Sequence, residues 1–103
     1  MIIYAEENNL NELIKEGFSL VDFYSETCGP CKMLAEFLIR LDSELPFINI
    51  IKVNTTKYPN YSDEYQIHAV PTLFFIKDGN LCERHLGLLT TEQLKTKIAQ
   101  YLY

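Results

Sequence analysis

Apolar positions change their period several times along the chain, and each change marks an expected element. Ile2 to Tyr4 is a short apolar stretch that fits an edge strand. Leu10, Leu13 and Ile14 then recur at helical spacing, with Asn8 or Asn9 placed to cap the start and Gly17 placed to end the helix in a left-handed conformation. That spacing predicts a helix of about two turns. Phe18 to Tyr24 is a largely apolar run in which Asp22 is the one charged residue, the composition of a central strand covered on both faces. Leu34, Phe37, Leu38 and Leu41 recur at i, i+3, i+4 and i+7, and Leu45 continues the row. They form one stripe on a helix that begins near Cys28 and ends before Pro46.

Beyond Pro46, Phe47 to Val53 reads as a second strand, joined to the first through the helix by a right-handed parallel crossover. A polar turn leads into a weakly helical stretch from Tyr58 to Tyr65, with Pro59 in its first turn. Thr72 to Ile76 and Asn80 to Leu86 are further strands, and Asp78-Gly79 between them carries the signal of a tight antiparallel hairpin. Thr90-Thr91-Glu92-Gln93 is a capping box for a last helix with Leu94, Ile98, Tyr101 and Leu102 on its buried face. The order βαβαβαββα predicts an α/β fold: a central mixed sheet flanked by helices on both faces.

Composition narrows what such a fold is for. With 103 residues and 48% of them hydrophobic, the chain sustains one core, so a single domain over residues 1–103 and a monomer are expected. A formal charge of −5 opposes phosphate backbones and anionic membranes, so neither nucleic acid nor a membrane is an expected partner. Met1 to Glu7 has neither the basic nor the apolar segment of a signal peptide, and no apolar run approaches about 18 residues. Three cysteines, an odd number, do not form a secreted disulfide framework. A reducing, cytoplasmic setting is the expectation.

The candidate chemistry lies where the first long strand meets the long helix. Cys28-Gly29-Pro30-Cys31 places two thiols three residues apart, so one helical turn brings the sulfurs within reach of a disulfide. Cys28, at the helix start, faces unsatisfied N–H groups and the positive end of the helix dipole, which favour its thiolate. It is the expected nucleophile. Cys31, one turn inside, is the expected resolving thiol, and Pro30 stiffens the first turn. The same spacing serves zinc, but a second pair is missing and His68, Cys82 and His85 lack paired spacing, so no metal is expected. Both histidines read as ordinary surface or hydrogen-bonded residues, and Cys82 as a buried apolar residue of its strand.

Asp22 stands six residues before Cys28 in an otherwise apolar strand. If buried beneath the helix start, it has a raised pKa and is poised to take and return the Cys31 proton; the alternative is a wet strand end. Lys52, on the neighbouring strand, is either the partner of that carboxylate or a side chain that snorkels to solvent. Val70-Pro71-Thr72 opens a strand, where proline is tolerated and a trans bond is the usual reading.

Taken together, Val21-Asp22-Phe23, Cys28-Gly29-Pro30-Cys31-Lys32, Lys52-Val53-Asn54, Val70-Pro71-Thr72-Leu73, Lys77-Asp78-Gly79 and Gly87 resemble the thioredoxin family in order and over essentially the whole length. The resemblance implies the thioredoxin fold and a thiol–disulfide oxidoreductase that reduces protein disulfides, with a thioredoxin reductase as electron source and no cofactor beyond the Cys28–Cys31 disulfide. It further implies that Pro71 is a cis-proline facing the cysteines. Val70 would offer backbone hydrogen bonds to an extended substrate, Asp22 would be the buried acid linked to Cys31 with Lys52 beside it, and Thr27, Gly29, Pro30 and Gly87 would belong to the docking rim. Two positions depart from the family pattern. Thr27 and Tyr24 stand where tryptophans are common, in a chain without any Trp, and Glu36 replaces a frequent helix-kinking proline. Thr27 makes credible a protein dedicated to one partner, and a redox-inert module holding proteins in the Pro71 groove is the remaining alternative.

Overall fold

The computed structural model describes residues 1–102. Nine elements follow one another: β1 (Ile2–Tyr4), α1 (Leu10–Leu13), β2 (Phe18–Tyr24), α2 (Gly29–Glu44), β3 (Asn49–Asn54), α3 (Asn60–Glu64), β4 (Thr72–Lys77), β5 (Asn80–Leu86) and α4 (Thr91–Leu102). The order is the expected βαβαβαββα. The strands form one five-stranded sheet in the order β1-β3-β2-β4-β5. β3 runs parallel to both β1 and β2, whereas β4 is antiparallel to β2 and β5.

Side-chain alternation divides the core between the two faces of this sheet. Leu20 of β2, Ile50 of β3 and Leu73 and Phe75 of β4 pack with Leu34, Leu38 and Leu41 of α2 and with Leu94 and Ile98 of α4. Val21, Phe23, Ile51, Val53, Phe74 and Ile76 point the other way, towards Leu10 of α1 and Tyr61 of α3. Burying each leucine of the α2 stripe stabilises the fold by roughly 1.5–3 kcal/mol, so this stripe fixes the helix, and therefore Cys31, against the sheet. Asp22 and Lys52 share the parity of Leu20 and Ile50 and pair in register, Asp22 with Lys52. The fold thus turns both towards the α2 face.

Several boundaries differ from the sequence expectation. α1 has one turn rather than two, because the chain after Leu13 is tied to the β4–β5 hairpin: Gly17 N donates to Asp78 Oδ1 at 2.8 Å and Asp78 N to the Gly17 carbonyl at 2.9 Å. Gly17 does adopt a left-handed φ of 74°. β3 starts at Asn49 and Phe47 is exposed, since the chain is still turning out of α2 there. Pro59 caps α3 instead of lying within it. Cys82 is a correction of kind rather than of boundary, because it is exposed and not buried. Phe75 pairs with Glu83 and Ile76 with Leu81, so Cys82 is the extra residue of a bulge on the edge strand, turned out of the ladder. The last helix has the expected capping box: Thr90 N donates to Gln93 Oε1 at 2.9 Å and Gln93 N to Thr90 Oγ1 at 3.2 Å.

Candidate active site

Cys28 is the N-cap of α2, in extended conformation, and its Sγ accepts a hydrogen bond from Cys31 N at 3.1 Å. The side chain thereby meets one of the helix's four unsatisfied amides, where negative charge on sulfur is favoured. Pro30 occupies the first turn, where its missing N–H costs nothing. Cys28 and Cys31 are joined as a disulfide with Cα atoms 5.2 Å apart. The two are unequal in access: Cys31 is buried at 4% exposure, whereas Cys28 is half-buried between exposed Thr27 and Gly29.

A second segment closes over the sulfurs. The Val70–Pro71 bond is cis, as the resemblance implied and against the usual trans reading. Cys28 Sγ lies 3.8 Å from the Val70 carbonyl oxygen. Thr72 Oγ1 donates to the Ala69 carbonyl at 2.7 Å, and Gly87 N donates to the Pro71 carbonyl at 2.9 Å, so both neighbours of this turn are anchored. Gly87 has φ of 108°, a conformation that side chains rarely adopt, with open space where a Cβ would stand. Val70 is therefore brought to Cys28, with Pro71 next to it in the chain and Gly87 bonded to Pro71.

Beneath α2, Asp22 is fully buried, and among the described residues neither carboxylate oxygen has a hydrogen-bond partner. The wet strand end is excluded. Burial pushes its pKa up to about 7, and the nearby Lys52 charge only partly opposes this. Lys52 is half-buried rather than free in solvent, its ammonium 5.1 Å from the Tyr24 ring centroid and 5.7 Å from that of Tyr4. Cys31 and Lys52, with Tyr24, Ser25, Glu26, Lys32 and Ala35, line a cavity of about 160 Å³. The Cys31 sulfur and the Lys52 side chain thus border one cavity at the start of α2, and Asp22 is the register neighbour of Lys52.

Cys82, His68 and His85 line neither of the cavities that Lys52 borders. Among the described residues no group of three or more His, Cys, Asp or Glu is placed to hold a metal ion. Tyr4 was missed in the sequence reading. Its only signal is long-range, its register pairing with Lys52 across β1 and β3.

The thioredoxin family model matches residues 1–100. This chain belongs to the thioredoxin family. It is 37% identical to thioredoxin of Chlamydia trachomatis over 101 residues, covering 98% of this chain and 99% of that protein. It is 31% identical to thioredoxin of Bacillus subtilis, covering 98% of each. A relative from Arabidopsis thaliana, thioredoxin Y2, chloroplastic, is 37% identical over 92% of this chain and 59% of its own length. With the Cys28–Cys31 pair in place, this thioredoxin-family protein is a dithiol–disulfide oxidoreductase whose redox group is its own disulfide. No helix among the described residues is long and apolar enough to cross a membrane.

Proposed function

We propose that this protein reduces disulfides of other proteins, that Cys28 attacks and that Cys31 resolves. The observation that carries the reading is the unequal access of the two sulfurs, with Cys28 capping the helix at the surface and Cys31 buried one turn inside. The Cys28 thiolate attacks one sulfur of the target, forming a mixed disulfide and expelling a target thiolate. Asp22 takes the proton of Cys31, whose thiolate then attacks Cys28 Sγ, closing the Cys28–Cys31 disulfide and expelling the second target thiolate. Protons from Asp22 and water complete the two target thiols. Two electrons have passed from the protein dithiol to the target.

Lys52 tunes the Asp22 carboxyl, and Val70 and Pro71 form the edge along which an extended target segment lies. Thr27, Gly29, Pro30 and Gly87 make the rim around Cys28, the exposure of the first three and the open space at half-buried Gly87 supporting that role. Electrons return from an external dithiol donor, a thioredoxin reductase in our reading. We further infer a monomer over residues 1–103 acting in the cytoplasm and in electron transport.

Cys31→Ser is expected to accumulate mixed disulfides with insulin, while Cys28→Ser accumulates none. Equal trapping by both variants sinks the assignment of roles. Insulin reduction supported by a chemical dithiol and also by a thioredoxin reductase is the expected behaviour of the native chain. Turnover with the dithiol alone favours a protein dedicated to another donor, for which exposed Thr27 in place of an aromatic contact is the relevant feature. No turnover with either leaves a binding module.

A further inference from the structure

Asp22 and Lys52 are register neighbours on one face of the sheet, yet among the described residues no ion pair within 4.0 Å joins them. A buried carboxylate without hydrogen bonds beside a flexible ammonium ordinarily draws that ammonium in, because Coulomb attraction is least screened there. Something holds Lys52 back. Its ammonium lies against the rings of Tyr24 on β2 and Tyr4 on β1, both centroids within the roughly 6 Å over which an aromatic face attracts a cation. Lys52 borders two cavities, the one containing Cys31 and a second of about 260 Å³ that Tyr4 and Tyr24 also line.

We propose that Tyr4 and Tyr24 are positioning residues of the exchange reaction: their rings hold the Lys52 ammonium short of Asp22, so the buried carboxyl is left free to gain and lose a proton.

Other charges around the pair do not account for the arrangement. The acids bordering the two cavities, Glu6 and Glu26, form no ion pair with Lys52 among the described residues, and Glu26 instead accepts from Asn54 Nδ2 at 2.9 Å. The other cations are Lys57, 5.5 Å from the Tyr58 ring centroid, and Lys32, on the Cys31 side. Among the described residues neither forms an ion pair with Asp22. From α2, Cys31 borders the same cavity as Lys52 and in the disulfide has no proton to lose. From β4 the register neighbour of Asp22 is Leu73, uncharged. Burial is the larger influence on the Asp22 pKa, ahead of the Lys52 charge, which agrees with an ammonium held short of the carboxyl.

The test is a carboxyl-carbon NMR titration of Asp22 in the oxidised protein. In Tyr4→Leu/Tyr24→Leu, Lys52 is released to reach the carboxylate and the Asp22 pKa falls by about one unit or more. Tyr4→Phe/Tyr24→Phe keeps the ring faces and leaves the pKa within about 0.3 unit of the native value. In a Lys52→Met background the leucine pair produces no fall. An unchanged or raised pKa in the leucine pair overturns the proposal, and so does an equal fall without Lys52, which would mean that the rings act by excluding water. Should the pair fail to fold, Tyr4→Leu alone, at a ring 61% exposed, is expected to shift Asp22 in the same direction, and no shift overturns the proposal. The kinetic consequence rests on Asp22 serving Cys31: the acid limb of mixed-disulfide resolution moves with the titration. A moved titration with an unmoved rate profile removes the proton-transfer role and leaves the positioning intact.

Discussion

The buried carboxyl makes stability depend on pH with a sign opposite to that of a salt-bridged aspartate. Asp22 titrates near its ordinary value of 3.8 in the unfolded chain and at about 7 in the fold. Between those values the native state binds the proton that the unfolded state has released, so stability falls as pH rises and levels off above about 7. At about 1.36 kcal/mol per unit, the full loss is roughly 4 kcal/mol, undiluted by solvent because the side chain is 0% exposed. Asp22→Asn removes the titration. Its amide carries its own cost in a site without hydrogen-bond partners, but that cost is constant with pH and cancels when one variant is followed across pH. The stability of Asp22→Asn relative to the native protein is therefore expected to rise by about 4 kcal/mol from pH 4 to pH 8. Denaturant unfolding of both oxidised proteins, followed by far-ultraviolet circular dichroism since the chain has no Trp, measures the difference. A difference that stays flat across that range would refute the buried, uncompensated carboxyl on which the mechanism rests.

Two further expectations concern the scaffold beneath the site. Tyr61, 1% exposed, donates from its hydroxyl to the Glu6 carbonyl at 2.5 Å and accepts from Asn9 N at 3.1 Å and Leu10 N at 3.3 Å. Tyr61→Phe leaves Leu10 N without its partner and Asn9 N and the Glu6 carbonyl with only their 3.5 Å bond to each other, costs about 1–3 kcal/mol and, in thermal unfolding, lowers Tm while leaving insulin reduction at 25 °C unchanged. Leu38→Ala, in the α2 stripe at 0% exposure, is expected to cost about 2–5 kcal/mol in denaturant unfolding; a loss below about 1 kcal/mol would mean that α2 is not held by that stripe.

What the sequence made legible was what its local pattern encodes. The α2 stripe, the Asp78-Gly79 hairpin and the Thr90/Gln93 box all depend on residues within one or two turns of each other, and each is where the pattern put it. Cys28 and Cys31 were legible for the same reason. The larger errors came from partners distant along the chain. α1 is short because Gly17 is bonded to Asp78, sixty-one residues away, and Cys82 is exposed because of a register slip against β4 that no residue of β5 announces. Asp22 is intermediate. An acid within an apolar strand signals a question, but the answer, complete burial with no hydrogen-bond partner among the described residues, needs α2 and β3 in place.

The electrostatics of the site consequently hang on the element with the weakest local signal. Strand order puts β3 between β1 and β2, so whatever β1 carries at the position paired with Lys52 faces the same ammonium that Asp22 faces from β2. Here that residue is Tyr4, and two positions beyond Asp22 on β2 stands Tyr24, so the cation has aromatic surface on both flanks. Either ring alone offers modest attraction; the pair matters because the competing carboxylate is ionised only part of the time near neutral pH, which weakens its pull on Lys52. Each state favours itself, since a protonated Asp22 leaves the ammonium on the rings and an ammonium on the rings leaves Asp22 easier to protonate. The proton-holding acid of this site is therefore a property of three strands, not of the strand that carries it.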